Sequence, residues 1–73
     1  MYQLNVRDRS SKRPRGVIAS VTWKRRRGQA LVKHFTFKEQ KESGIRFFEL
    51  DDAKNVAASL AVDFGLDVTV QKV

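Results

Sequence analysis

Apolar and polar positions alternate at both ends of the chain, and one stretch near the C-terminus repeats with a helical period. In "YQLNV", residues 2–6, Tyr2, Leu4 and Val6 fall on one side, the pattern of a half-buried strand. Residues 17–24, "VIASVTWK", and 29–37, "QALVKHFTF", are rich in β-branched and aromatic types and predict two further strands. The intervening "RRRG" predicts a short hairpin loop in which Gly28 supplies a positive φ. After the turn-like "KEQKESG", the run "GIRFFEL" predicts another strand over 45–50. These three strands would form an antiparallel meander. Ala53, Val56, Ala57, Leu60, Ala61 and Phe64 then recur at steps of three and four, which places them on one helical face. Asp51 or Asp52 would cap this helix and Gly65 would stop it. "LDVTVQKV" alternates again as a last strand. The predicted class is α+β, in the order β–loop–βββ–α–β, with a small antiparallel sheet packed on one C-terminal helix.

Symmetric pairing about "RRRG" sorts the hairpin side chains into two faces. One carries Val17, Ala19, Val21, Trp23, Ala30, Val32, His34 and Thr36. The other carries Ile18, Ser20, Thr22, Lys24, Leu31, Lys33, Phe35 and Phe37. Setting Phe37 opposite Ile45 adds Phe47 and Glu49 to the second face and brings Glu49 opposite Lys33, a favourable cross-strand pair. An alanine-rich helix needs bulky residues opposite it to fill space. The expected core face is therefore Ile18, Phe35, Phe37 and Phe47, which leaves Trp23, His34 and Arg46 open or only part-covered by the terminal strands.

Composition narrows the setting. Seventy-three residues make one domain, 1–73, with a thin stability margin and no room for a large enclosed cavity. There is no cysteine, hence no disulfide and no thiolate chemistry. "MYQLNVRDRS" lacks the apolar run of a signal peptide, and no run approaches the ~20 apolar residues of a membrane span. A soluble, cytoplasmic protein is expected. The net charge is +7, unevenly spread: residues 1–34 carry +9 and residues 35–73 carry −2. Such a field attracts polyanions or an acidic partner.

Catalysis has little to work with. His34 is the lone histidine and sits in a predicted strand. Glu49, Asp51 and Asp52 stand where a helix begins, and Asp there is ordinarily a cap. No phosphate-binding glycine motif occurs, the serines have no evident base partner, and no His/Asp/Glu spacing supplies a metal site. We expect a non-enzymatic protein with neither cofactor nor metal.

The basic clusters remain. Lys24, Arg25, Arg26 and Arg27 form an unbroken knot beside Trp23, with Lys33 on the next strand. Lys12, Arg13 and Arg15 form a second group in a polar segment, 7–16, that reads as a flexible arm. Solubility needs far fewer like charges than this. The arginine fork suits two-point contacts with phosphate or carboxylate, and Trp23 could stack on a base or anchor a protein interface. The two clusters are expected to flank one positive surface.

The stretch "VTWKRRRGQA", followed by a strand, a turn and "FFELDDAKNVAASLAVDFG", resembles the AP2-type and integrase N-terminal DNA-binding domains. The resemblance rests on Trp23–Lys24, the basic turn with Gly28, the Phe48–Glu49–Leu50–Asp51 helix entry and the Ala53/Ala57/Ala58/Ala61 helix, and covers roughly residues 16–65. It implies a three-stranded sheet on one helix, with the sheet entering the major groove of duplex DNA. Size and charge also resemble small phage-encoded transcription regulators. The expected function is nucleic-acid binding, to double-stranded DNA, through the 24–27 tip and the 7–16 arm. The alternative is a regulator that docks on an acidic surface of a protein complex such as RNA polymerase.

Overall fold

The computed structural model describes all 73 residues. Its elements are β1 (Tyr2–Arg7), β2 (Pro14–Arg26), β3 (Gln29–Lys38), a 3-10 turn at Lys41–Ser43, α1 (Leu50–Phe64) and β4 (Asp67–Lys72). The strands form one antiparallel sheet in the order β3-β2-β1-β4, with α1 on one face. The α+β class and the single helix are as the sequence predicts. No helix is long and apolar enough to cross a membrane.

The third meander strand is not formed. Residues 45–47 instead fill a notch between β1 and β2. These two strands pair only from Asn5↔Val17 to Arg7↔Pro14 and then diverge. In the gap, the Ile45 N–H donates to the Ile18 carbonyl at 2.9 Å, and Phe47 exchanges two backbone hydrogen bonds with Tyr2. The Phe47 ring enters the core. Glu49 is the residue before the helix, so the pairing expected with Lys33 does not exist. The sheet is completed by β4, which pairs with β1 along its whole length, from Tyr2↔Lys72 to Arg7↔Asp67.

The 7–16 segment is also different from the expected arm. Its ends belong to β1 and β2, and residues 8–13 form a closed turn. The Asp8 carboxylate accepts hydrogen bonds from the Ser10 N–H, the Ser11 N–H and the Ser10 hydroxyl. The Asp8 N–H donates to the Arg13 carbonyl, and the Lys12 N–H donates to the Asp8 carbonyl. A short Asp side chain bonding its own backbone is a familiar turn device.

Two bulges decide which side chains reach the core. The hairpin closes through a two-residue loop, Arg27–Gly28, and its pairing runs Arg26↔Gln29, Trp23↔Val32, Thr22↔His34, Ser20↔Thr36, Ile18↔Phe37. Ala19 and Lys33 are left without opposite partners, and each extra residue reverses the alternation beyond it. Near the tip, Val21, Trp23, Ala30 and Val32 face the helix. Ile18 and Phe35 join them from the other expected face. Phe37 does not, and Trp23 is not on the open side. With Leu4, Val6, Val68 and Val70 these residues meet Ala53, Val56, Ala57 and Leu60 of the helix.

The helix begins two or three residues earlier than expected. Glu49 occupies the cap position without a side-chain cap bond, and Asp51 and Asp52 lie in the first turn, where they favour the positive end of the helix dipole. Gly65 ends it at φ 70°, with its N–H on the Leu60 carbonyl, as predicted. Ala61 is exposed, and Phe64 stays at the rim, edge-on to Phe35 at 5.1 Å between centroids. Ser59 is buried instead. Its hydroxyl accepts the Val32 N–H at 3.3 Å and donates to Asp63. The bond from Val32 joins the edge strand β3 to the helix across the core.

Candidate nucleic-acid interface

From Ile18 onward β2 pairs only with β3, because the β1–β2 ladder stops at Val17. The hairpin therefore projects past the rest of the sheet as a two-stranded ribbon backed by the helix. Residues 14–38 contain seven Lys or Arg and no acid. The helix carries Asp51, Asp52 and Asp63 against Lys54 alone. The molecule is thus electrically two-sided, basic along the ribbon and acidic over the helix.

Strand alternation divides the knot. Trp23 and Arg25 point to the helix side. Trp23 packs against Phe47 at 6.5 Å between centroids. The Arg25 guanidinium lies 5.9 Å from the Trp23 ring and forms an ion pair with Asp52. Both residues fasten the ribbon to the start of the helix, a role sequence reasoning did not assign them. Lys24 and Arg26 fall on the opposite face, and Arg27 forms the turn itself. Lys24, Arg26, Arg27 and the bulged Lys33 are exposed and take part in none of the three ion pairs of the fold. His34 is exposed on the same face as Thr22.

Arg27 sits at φ 52° and Gly28 at φ 78°. A two-residue hairpin loop with both φ values positive favours Asn, Asp or Gly at its first position. Arginine there is costly to the backbone, by about 1–2 kcal/mol.

The second basic group lies elsewhere. Arg15 and Arg26 are at opposite ends of β2, eleven residues and roughly 30–35 Å apart at strand spacing, in a molecule whose longest dimension is 34 Å. The expected single surface flanked by both clusters is not built. Lys12, at φ 61°, places its Nζ 2.9 Å from Asp67, and Arg7 reaches the same carboxylate at 3.1 Å. These two cations hold the Asp67 pKa below its ordinary value. Lys12 is therefore a structural tie, while Arg13 and Arg15 are exposed without ionic partners.

Beside the ribbon, Arg26, Arg27, Leu31, Ala58, Val62 and the acidic Asp63 line an open groove between the hairpin and the outer flank of the helix. No three histidine, aspartate or glutamate side chains lie close enough to share a metal ion. No protein-family model, curated protein or solved structure matches this chain.

Proposed function

We propose that this protein binds double-stranded DNA through the projecting β2–β3 ribbon, with Lys24, Arg26, Arg27 and Lys33 contacting phosphates. The carrying observation is a two-stranded ribbon free of acidic residues, with unpaired cations on the face turned away from the helix. A ribbon of this kind fits the major groove, which is ≈12 Å wide. The arginine at the turn supports the reading. Backbone strain is kept where a side chain serves a purpose, and Arg27 is placed at the outermost point of the ribbon. Arg25 and Trp23 support it from behind by fixing the ribbon on the helix.

The test is a titration of duplex DNA across salt concentrations. Each neutralised phosphate adds about −0.9 to the slope of log K against log salt. Four contacts give a slope of roughly −3 to −4. Lys24→Ala or Arg26→Ala should each flatten it by about one unit on any duplex sequence. Arg25→Ala should change the slope far less, because that charge is already spent on Asp52. A flat salt response, or equal effects from all three variants, defeats the proposal. The competing reading is an acidic protein segment in the groove of Arg26, Arg27, Leu31, Ala58 and Val62. Val62→Ser, which adds no charge beside Arg26 and Arg27, would then weaken partner binding and leave the DNA titration unaltered.

A further inference from the structure

The opposite end of the helix-free face holds a feature that duplex binding leaves unused. Asn5, Arg7 and Thr69 alternate along β1 and β4 with the core residues Leu4, Val6, Val68 and Val70, so they lie on that face. Together with Arg15, Gly16, Phe37 and Lys41 they line an open depression. Phe37 lies two residues beyond Phe35, at the end of β3. It is 39% exposed, while Phe35 and Phe47 are packed inside.

The ring is seated rather than loose. A Cβ on Gly16 would come within 2.8 Å of the Phe37 ring and would also collide with the Lys38 carbonyl. The ring thus occupies space that only glycine leaves open, with Gly16 at φ 151°. An exposed aromatic held in one place loses little entropy when a flat partner settles on it. Three cations line the same depression. Arg7 is oriented by Asp67 at 3.1 Å, while Arg15 and Lys41 have no acidic partner. Glu39, the one acid in the lining, is outnumbered.

An exposed aromatic that lines one depression with three cations, an amide and a hydroxyl has the chemistry that recognises a nucleotide: a stacking surface for the base and positive charge for its phosphate. A base inside a duplex has no free face to offer. We propose that the Phe37 depression is a stacking site for one unpaired base, so that the protein holds a duplex on the ribbon and an adjoining single strand at Phe37. Arg15 and Lys41 take the flanking phosphates. The proposal rests on the nucleic-acid reading above and gives Arg15, from the second basic group, a separate task.

Three labelled probes decide it: a blunt duplex, the same duplex with an oligothymidine overhang, and the oligothymidine alone. The wild type should bind the overhang probe more tightly than the blunt duplex. Phe37→Ala should lower affinity for the overhang probe by roughly tenfold, the scale of one lost stacked base, and leave the blunt duplex unchanged. Phe37→Tyr should retain binding, and Phe37→Leu, which keeps bulk without a π-face, should not. Thermal melts of each variant report folding. In Phe37→Trp the new indole should be quenched by the overhang probe beyond the change seen for Trp23 in the wild type. Equal affinity of the wild type for both duplexes, or equal losses on both, overturns the stacking site while leaving ribbon binding intact. Failure of the wild type to bind the blunt duplex removes the ribbon reading instead, and loss of single-strand binding as well removes both.

Discussion

Arg27 sets two demands against each other. Its backbone is in the left-handed region, where a side chain without a local hydrogen bond is disfavoured, while its charge is carried to the end of the ribbon. Asn tolerates this conformation better. Arg27→Asn should therefore raise unfolding free energy by about 0.5–1 kcal/mol, read from the denaturant midpoint, and weaken duplex binding in the same preparation. Greater stability with undiminished binding would mean that Arg27 contacts no ligand. Trp23 and Arg25 illustrate the converse. They have the residue types expected of a ligand contact, but their partners are Phe47 and Asp52. Residue type alone is therefore a poor guide within the knot, and strand parity decides which charges are free.

At the scale of elements, the helix and the sheet are joined by few large side chains. Leu60 is fully buried, and the other helix residues in the core are Ala53, Val56 and Ala57. Leu60→Ala leaves a cavity that these small neighbours cannot fill. It should cost about 2–5 kcal/mol, a large part of the margin available to a chain of this size. Chemical denaturation followed by Trp23 fluorescence would measure it, and a loss below about 1 kcal/mol would show that the helix is not packed as described. Ser59 adds a polar tie between the elements, because its hydroxyl accepts the Val32 N–H. The bulges act on the sheet side of this interface, turning Ile18 and Phe35 inward.

Across the whole molecule, the termini and the first turn are held by two carboxylates. Asp8 organises the β1–β2 turn, and hydrogen bonds from the Ser10 hydroxyl and the Ser11 and Ser10 N–H groups lower its pKa to about 2. Asp67, at the start of β4, gathers Lys12 and Arg7 from the other end of the chain, which lowers its pKa too. Both groups have lower pKa values folded than unfolded, so the native state binds fewer protons. Their stabilisation is present in full above the unfolded aspartate value, about 3.9. It is lost as pH falls toward about 2 for Asp8. Melting temperature should therefore drop between about pH 5 and pH 2. Asp8→Asn should reduce the drop while lowering stability at neutral pH. An unchanged acid profile would show that the turn carboxylate does not couple to folding.

The sequence by itself determined the features whose causes are local. Helical periodicity marked the Ala53–Leu60 face, Gly65 marked the helix end, alternation marked the strands at 2–6 and 66–73, and β-branched and aromatic composition marked those at 17–24 and 29–37. The acid-free run of cations was legible too, since charge needs no fold to be counted. The tertiary structure decided what depends on contacts distant in the chain. "GIRFFEL" has the composition of a strand, but no free edge of β3 receives it. The notch where β1 leaves β2 takes only residues 45–47, and β4 arrives to pair β1. The core face could not be read from alternation, because a bulge shifts parity by one residue and leaves no mark in composition. The same parity divides the basic knot, sending Arg25 to Asp52 and leaving Lys24 and Arg26 open. The length of β2 then separates Arg15 from Arg26. Local periodicity is written in neighbouring residues, whereas register and strand order follow from which surfaces close together over the core.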